Sequence, residues 1–183
     1  MKDVVESVEI FDTAQKVIRT LLKSECAFGY RDSIFKKHPD WIILTATLHL
    51  KIGDPRTIQQ EIRRIMQERI SKQDIGAKCC GCIFKNVSWT AQDINKQSLL
   101  ARFPEFNALK DLPNIPAAFL IDQAGLKQQC MRAVCISQRH ANFFVNNGGA
   151  SSDDVIALIA RAKQEVQKKF GILLEEEIYL IGF

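Results

Sequence analysis

The densest group of chemically reactive side chains in the sequence is the stretch GCIFKN at residues 81–86. Its glycine allows the backbone to come close to a ligand, and the thiol of Cys82, which follows, can act as a nucleophile or as an acid. A cation and an amide come next, and Cys79 and Cys80 precede the thiol. The same residues would also suit a buried loop of small hydrophobic side chains, so this stretch alone leaves both interpretations open.

The six cysteines of the chain suggest further chemistry. The sequence starts without a signal-peptide segment, so we expect a cytoplasmic protein whose cysteines are free, catalytic or metal-bound rather than paired in disulfides. Cys79 and Cys82, together with Cys130 and Cys135, have the residue types of a four-thiolate zinc site or a redox pair. The spacing of the second pair is loose for such a site, and a zinc or redox protein is kept as one alternative.

Length and composition favour an ordinary globular protein. The chain has 183 residues, of which 46% are hydrophobic and 25% charged, enough for one domain or two small lobes. Its net charge of +4 is small and spread along the sequence, which argues against nucleic-acid binding and suits an anionic small ligand only weakly. No apolar run is long enough to span a bilayer, so we expect no membrane association.

The first part of the chain is predicted to form a strand, a helix and a loop. Residues 4–11 are rich in β-forming side chains and are predicted to form a strand. Asp12 and Thr13 are predicted to cap a helix with an apolar stripe at residues 17–22. Residues 25–36 then form an irregular loop rich in functional groups. Its Arg31 could grip a carboxylate with its planar guanidinium, or simply form a surface ion pair.

The clearest strand is predicted over residues 41–51, where apolar and polar side chains alternate. The even-numbered side chains from Ile42 to Leu50 are expected to share one face. A capping box formed by Thr57 and Gln60 then predicts a helix that continues to about residue 70. The stripe that this helix is expected to bury consists of Ile58, Ile62, Ile65 and Met66.

A break in periodicity over residues 71–78 predicts a boundary between two lobes, and the segment after the reactive stretch gives only weak signals. The elements predicted further on are a helix over 117–123, one or two strands over 134–146, the longest helix over 153–170 and a final strand over 172–183. Ser151 or Ser152 is expected to cap the longest helix, and Gly171 to end it.

Five motifs, taken in chain order, resemble one enzyme family. They are YRDSIFK at residues 30–36, GCIFKN at residues 81–86, LIDQAGLK at residues 120–127, HANF at residues 140–143 and LEEEI at residues 174–178. Each motif is weak by itself, but in this order they resemble the UDP-N-acetylenolpyruvoylglucosamine reductases, also called UDP-N-acetylmuramate dehydrogenases or the MurB family. The resemblance extends over almost the whole chain.

The resemblance implies a reaction and an α+β fold class. In this family NADPH reduces a bound FAD, and the flavin delivers hydride to the enolpyruvyl group of a UDP-sugar, which gives UDP-N-acetylmuramate for peptidoglycan synthesis. By the same resemblance, residues 1–74 are the end of an α+β flavin-binding domain and residues 75–170 are a complete α+β substrate-binding domain. Residues 171–183 are then a returning strand that carries a catalytic glutamate.

The resemblance also assigns roles to individual residues. The family's catalytic positions fall on Arg31, Cys82 and Glu177. Arg31 and a protonated Glu177 would stabilise the negative charge that develops towards the substrate carboxylate, and Cys82 would protonate the neighbouring carbon. The substrate-binding positions fall on Tyr30, Asn86 and His140. His140 also fits an ordinary hydrogen-bonded histidine on a strand, and no residue of the chain is assigned to a cofactor or a metal.

The sequence departs from the family pattern in three places. The family's flavin-binding domain begins well upstream of this chain, so we expect flavin binding and turnover to need the missing half, which a separate chain could supply. Val87 replaces a proline, while Gln128, Arg132 and Ala133 replace glycines. A non-catalytic module that binds a UDP-sugar or another partner is therefore the second alternative.

Overall fold

A computed structural model of the protein describes residues 2–92 and 94–182. The chain divides into two compact units, Met1–Ile62 and Arg63–Phe183. Each unit has its own cluster of buried residues. Helices and strands are mixed along the chain, in agreement with the predicted α+β class.

The first unit is built on an antiparallel sheet. Its strands are β1 (Val5–Asp12), β2 (Val17–Leu22) and β3 (Trp41–Leu48). The spatial order is β2-β1-β3, so β1 is central and β2 and β3 are the edges of the described sheet. The strands predicted over residues 4–11 and 41–51 are confirmed, although β3 ends earlier than predicted.

The helix predicted at residues 17–22 is wrong, because these residues form β2. Asp12 does not cap a helix. Its Oδ1 accepts hydrogen bonds from the N–H groups of Ala14 (3.1 Å) and Gln15 (2.9 Å), and this Asx-type turn sends the chain back along β1. The short apolar run of β2 fits the period of a helix as well as that of a strand, so only the turn decides between them.

A bulge in β3 changes the alternation predicted for this strand. The ladder with β1 shifts register between the Glu9–Thr45 and Ile10–Ile43 pairs, so Leu44 is skipped. One extra residue turns every following side chain to the other face of the sheet. The prediction that the even-numbered side chains share one face is therefore wrong.

Helix α1 (Pro55–Lys72) confirms the helix predicted from the capping signal, with two differences. Asp54 is the capping residue, because both the N–H and the hydroxyl of Thr57 donate to its Oδ2 (2.8 and 2.7 Å). The stripe predicted to be buried is instead 43% to 54% exposed in Ile58, Ile62, Ile65 and Met66. The periodicity identified the apolar side of the helix correctly, but no described residue of α1 is buried.

The second unit contains longer helices and short strands around a larger core. Its elements are β4 (Val87–Ser88), α2 (Lys96–Arg102), β5 (Asn114–Ile115), α3 (Ala117–Gln123), β6 (Cys130–Met131), β7 (Val134–Ile136), β8 (Phe144–Asn146) and α4 (Ser152–Phe170). The predicted α3, the strands over 134–146 and α4 are confirmed. Ser151 and Asp154 form a capping box at the start of α4, and Gly171 ends it with φ of 73°.

The segment with weak sequence signals carries the centre of this core. It contains α2 and a 3-10 helix at Pro104–Leu109. Phe106 in that turn is fully buried, and its ring lies 5.1 to 6.2 Å from those of Trp89, Phe103, Phe119 and Phe170. Three of these partners, Trp89, Phe119 and Phe170, come from distant segments, so no local periodicity could have predicted the arrangement.

Two further predictions are wrong. The described part of residues 172–183 is not a strand; it pairs only through an isolated bridge between Phe84 and Glu176. The expectation that no cysteines form a disulfide also fails, because Cys130 and Cys135 are joined by one. They lie directly opposite each other in the β6–β7 hairpin, with Cα atoms 4.1 Å apart, so the hairpin register brings the sulfurs together. Phe183, the end of the predicted strand, lies outside the described residues.

Candidate functional site

The loop that carries Cys82 is held from one side by the segment after His140. Cys82 forms a bridge with Phe143, and the N–H of Ile83 donates to the backbone oxygen of Asn142 (2.9 Å). Asn142 also uses its side chain: its Oδ1 accepts from the N–H of Phe84 (2.9 Å), and its Nδ2 donates to the oxygen of Phe84 (2.8 Å). This amide is only 2% exposed, so it replaces the strand partner that Phe84 would otherwise lack.

Sequence reasoning missed the role of Asn142, although a signal was present. An asparagine inside the apolar run of residues 141–145 is costly to bury unless its amide is fully hydrogen-bonded. Such a residue therefore indicates a specific partner. Here the partner is the backbone next to Cys82.

The C-terminal segment holds the same loop from the other side. The N–H of Glu177 donates to the oxygen of Ile83 (2.7 Å), and the N–H of Lys85 donates to the oxygen of Glu175 (2.9 Å). The backbone of Glu177 is thus bonded to the residue directly after Cys82. The structure brings together two of the three predicted catalytic residues, Cys82 and Glu177, which are far apart in sequence.

Two glutamates of this segment have lysine partners. Lys85 forms a salt bridge with Glu175, and Nζ of Lys163 on α4 lies 2.9 and 3.1 Å from the two carboxylate oxygens of Glu176. Partial burial raises the pKa of Glu176, but the hydrogen bonds and charge of Lys163 outweigh this effect, and the net pKa lies below its usual value. These ion pairs hold the two residues that directly precede Glu177.

Asn86 lies at the exposed end of the loop. Its Oδ1 accepts a hydrogen bond from the N–H of Ala117 (3.0 Å), which is the first residue of α3. Pro116, the residue before α3, provides no side-chain cap, so Asn86 takes over this function from a distant part of the chain. The predicted substrate contact of Asn86 stays a prediction, but the orientation of its amide is now set by α3.

His140 belongs to a polar cluster at the turn before Asn142. The buried hydroxyl of Ser137 donates to the carboxylate of Asp74 and accepts from the N–H groups of Arg139 and His140 (3.0 Å each). The imidazole stacks at a tilt on Phe143, with ring centroids 4.5 Å apart. Its burial lowers the pKa of the imidazole below its usual value, and the charge of nearby Asp74 opposes this effect only in part.

Arg31 and Tyr30 lie in the first unit, in the irregular loop predicted over residues 25–36. Arg31 has a left-handed backbone (φ 54°), its oxygen accepts a hydrogen bond from Nζ of Lys36 (2.6 Å), and its guanidinium carbon lies 5.6 Å from the centre of the Tyr30 ring. Both side chains are exposed. The two remaining candidates are therefore neighbours of each other within one unit, while Cys82, Glu177, Asn86 and His140 belong to the other.

The loop after residue 127 keeps an unusual backbone. Gln128 and Arg132, which stand where the family resemblance leads us to expect glycine, have φ of 62° and 49°. These left-handed values favour glycine and are strained for other residues. In this loop, two residues other than glycine thus adopt the left-handed backbone that glycine favours.

Comparison with known proteins decides the family. The family model of the UDP-N-acetylenolpyruvoylglucosamine reductase C-terminal domain matches residues 73–181, which include Cys82, Asn86, His140 and Glu177. The chain belongs to this reductase family. The matched residues all lie within the second unit, which begins at Arg63.

Individual reductases are similar over almost the whole chain. The UDP-N-acetylenolpyruvoylglucosamine reductase of Solibacter usitatus (strain Ellin6076) is 32% identical over 178 residues, which are 97% of this chain and 55% of the relative. That of Synechococcus sp. (strain JA-3-3Ab) is 34% identical over 183 residues, covering 100% of this chain and 50% of the relative.

The fold is similar to that of a solved reductase. The crystal structure of UDP-N-acetylenolpyruvylglucosamine reductase (MurB) from Thermus caldophilus matches with a TM-score of 0.69 and 28% identity, over 97% of this chain and 53% of that chain. The chain thus spans about half the length of the reductases that it matches.

The zinc alternative finds no support in the described residues. Two of its four sulfurs, those of Cys130 and Cys135, are bonded to each other. Within residues 2–92 and 94–182, no group of three or more His, Cys, Asp or Glu side chains is placed to hold a metal ion. In the same part of the chain, no helix is both long and apolar enough to cross a membrane.

Proposed function

We propose that this chain is the substrate-binding part of a reductase that converts the enolpyruvyl ether of UDP-N-acetylglucosamine into UDP-N-acetylmuramate, a precursor of peptidoglycan. The observation that carries the proposal is the hydrogen bond from Glu177 to Ile83 (2.7 Å), because it joins the segments of Cys82 and Glu177. Family membership supports the reaction class, and the location of the proposed reaction is the cytoplasm.

The proposed chemistry gives each catalytic residue one task. When hydride adds to one carbon of the enolpyruvyl double bond, negative charge develops on the neighbouring carbon and spreads into the carboxylate. Arg31 neutralises this charge with paired N–H donors, and a protonated Glu177 donates a hydrogen bond to the same carboxylate. The thiol of Cys82 then delivers a proton to the carbon, since a cysteine thiol is mostly protonated near neutral pH.

The proposed binding residues are Tyr30, Asn86 and His140. Asn86 and His140 contact the UDP moiety. The N–H of His140 donates to the hydroxyl of Ser137, and its ring packs on Phe143, so both its backbone and its ring are oriented by the protein. Tyr30 lies beside Arg31 and is proposed to contact the sugar end of the substrate.

The proposed reaction uses FAD and NADPH; bound FAD would supply the hydride and NADPH would replenish it. Free N–H groups at a helix start are a common phosphate site. At the starts of the two long helices, side chains of the protein itself form hydrogen bonds with these groups. Asp54 accepts from Thr57 at the start of α1, and Asp154 closes the capping box of α4. We therefore assign FAD binding to the half of the reductases that this chain does not cover.

It follows that the proposed reductase has a second component. The missing half would come either from the same gene product or from a separate chain. A fusion that places the N-terminal half of the Synechococcus reductase before this chain provides it in either case. In this fusion we expect flavin absorbance and NADPH oxidation that depends on the enolpyruvyl substrate, whereas this chain alone should be colourless and inactive.

A non-catalytic module that binds a UDP-sugar is the second candidate function. The coverage of only about half the length of the matched reductases favours it. Substrate binding measured by calorimetry separates the two candidates. A yellow, folded fusion that binds substrate without oxidising NADPH would support the binding module and contradict the reductase.

A further inference from the structure

We infer that Cys130 and Cys135 form a redox-active disulfide, which a dithiol protein opens by attack on the sulfur of Cys130 while Cys135 leaves as a thiolate. The two cysteines are joined across the β6–β7 hairpin, and neither has a part in the proposed reduction of the enolpyruvyl group. Only the cellular source of the dithiol rests on the proposed function, because the proposed cytoplasmic location supplies thiol reductants. The exchange itself follows from the structure of the hairpin.

The disulfide adds little to what already holds the hairpin. Its cysteines are only five residues apart in sequence, and a disulfide stabilises a fold less when the loop that it closes is short. The backbone fixes the register by itself, because the N–H of Ile136 donates to the oxygen of Gln129 (2.9 Å) and β7 also pairs with β8. Opening of the sulfur–sulfur bond should therefore leave the hairpin folded, as a reversible exchange requires.

The two cysteines differ in their access to an attacking thiolate and in the groups around their sulfurs. Cys130 is exposed, whereas Cys135 is partly buried, so the sulfur of Cys130 is the more accessible target. Nδ2 of Asn147 donates a hydrogen bond to the sulfur of Cys135 (3.3 Å), and such a donor stabilises a thiolate. The sulfur of Cys130 instead lies 3.4 Å from the backbone oxygen of Gln128, which would repel a thiolate at that position. Exchange is faster when the leaving thiolate is the more stable one, so Cys135 is the leaving group.

A polar cavity adjoins the leaving sulfur. Its volume is about 340 Å³, and its lining includes both cysteines together with Asp74, Ser137 and Asn147. The carboxylate of Asp74 would oppose a thiolate in this cavity, but its charge is partly offset. It accepts a hydrogen bond from the hydroxyl of Ser137, and it lies 3.8 Å from Nε of Arg139. The N–H donor of Asn147 therefore acts in a cavity whose one named charge already has a partner.

The exchange needs no reactant other than the dithiol. A thiolate of the dithiol forms a bond to Sγ of Cys130, the bond between Cys130 and Cys135 breaks, and its electron pair leaves on Cys135, which takes a proton from solvent. The second thiol of the reductant loses its proton, attacks the mixed disulfide and releases Cys130, which is protonated in turn. The dithiol is thereby oxidised to a disulfide, and the pair in this chain is reduced to two thiols.

Trapping of the mixed disulfide tests which sulfur is attacked. The probe is thioredoxin whose second active-site cysteine is replaced by serine, so that the mixed disulfide with the folded, oxidised chain cannot be resolved. After an acid quench and alkylation of free thiols, trypsin cleaves after Lys127, Arg132 and Arg139 and places the two cysteines in separate peptides. We expect at least about tenfold more thioredoxin on peptide 128–132 than on peptide 133–139. Equal amounts on both peptides, or an excess on 133–139, would overturn the inference.

The rate of reduction tests the leaving group. With unmodified thioredoxin, Asn147→Ala should be reduced about threefold to about tenfold more slowly than the unchanged chain, because the thiolate of Cys135 loses its N–H donor. Gln138→Ala, which changes another exposed amide in the lining of the same cavity, is the matched control and should leave the rate unchanged. Equal rates in Asn147→Ala and the unchanged chain would contradict the assignment of Cys135 as leaving group.

A purely structural disulfide is the competing interpretation. In that case thioredoxin would reduce the pair only after urea has unfolded the chain, and this result would overturn the inference. The double variant Cys130→Ser and Cys135→Ser should keep the circular dichroism spectrum of the unchanged chain, whereas an unfolded double variant would also support a structural disulfide. All of these measurements use the chain without flavin or substrate. Their failure would leave the proposed reductase intact, and an inactive fusion would leave the disulfide exchange intact.

Discussion

The two units of this chain have similar apolar patterns but bury them very differently. In the second unit, the stripe of α4 packs on a continuous cluster that includes Leu158, Ala162 and Val166. In the first unit, β3 is exposed from Ile42 onwards, and the first two residues of the α1 stripe, Ile58 and Ile62, are also exposed. A pattern in the sequence therefore shows which side of an element is apolar, but whether that side is buried depends on residues elsewhere.

The contrast also separates the proposed catalytic residues. Cys82 and Glu177 lie on segments tied together by backbone hydrogen bonds within the packed unit. Arg31 lies on an exposed loop of the sparsely packed unit. We expect the segments of Cys82 and Glu177 to keep their geometry in solution, and the loop of Arg31 to be more mobile.

Core truncation should reveal the contrast most strongly. Phe106→Ala removes a fully buried ring with four aromatic neighbours and should lower the free energy of unfolding by about 3–5 kcal/mol. Ile62→Ala on α1, where the side chain is 54% exposed, should change it by less than about 0.5 kcal/mol. Urea unfolding of both variants measures these values. Equal destabilisation would show that α1 is packed in solution and would remove the contrast between the units.

The amide of Asn142 should be the next most important group. Asn142→Ala leaves the N–H and the C=O of Phe84 without their side-chain partner. We expect the free energy of unfolding to fall by about 2–4 kcal/mol. The loop should also loosen, so Cys82 should react faster with iodoacetamide in folded protein. Asn147→Ala, an exposed asparagine in the same unit, is the control. Unchanged stability and reactivity would show that the loop is held without this amide.

Glycine substitutions at left-handed positions compare the units at the level of the backbone. Gln128→Gly in the second unit should raise the free energy of unfolding by about 1 kcal/mol, because it relieves φ of 62°. Lys16→Gly relieves a similar φ of 58° in the first unit. If the units unfold independently, each variant should shift only the unfolding transition of the unit that contains it. Hydrogen exchange measures the transition of each unit separately. A shift of both transitions by either variant would show a single cooperative unit.

The smallest expected effect is a pH dependence specific to the second unit. The pKa of Glu176 is lower in the folded state than its usual 4.5, because Lys163 outweighs the effect of burial. The folded state therefore gains stability from this group above that pH, and loses it as the pH falls through the folded pKa. Thermal unfolding should be measured between about pH 6 and about pH 3. Over this range the unfolding temperature of Glu176→Gln should fall less than that of the unchanged chain. An identical loss in both proteins would exclude this contribution.

The sequence predicted those elements whose signals are local. The capping box at Ser151, the stripe of α4 and the end at Gly171 all lie within one helix, and they were confirmed. β2 was mistaken for a helix, since its identity depends on the turn at Asp12 and on pairing with β1. The 3-10 helix around Phe106 gave no periodic signal, because aromatic contacts with distant segments hold it in place.

The candidate site shows the same division. Motif resemblance identified Cys82 and Glu177, but nothing near either residue predicted that Glu177 would bond to Ile83. Asn142 was within a recognised motif, yet its function required knowledge of where Phe84 lies. The disulfide was missed because the expectation of free cysteines rested only on the expected cellular compartment. The register of the β6–β7 hairpin, which places Cys130 opposite Cys135, could not be read from that argument.

The central claim, that Cys82 is the proton donor of a reductase, is tested most directly by separating the two half-reactions in the fusion with the N-terminal half. In Cys82→Ala, flavin reduction by NADPH should proceed at the unchanged rate, while reoxidation by the enolpyruvyl substrate should slow by about 100-fold or more. Cys82→Ser, which places a hydroxyl proton donor at this position, should slow reoxidation by the substrate much less than Cys82→Ala does. Equal slowing of both half-reactions, or an unchanged rate of reoxidation in Cys82→Ala, would contradict the account.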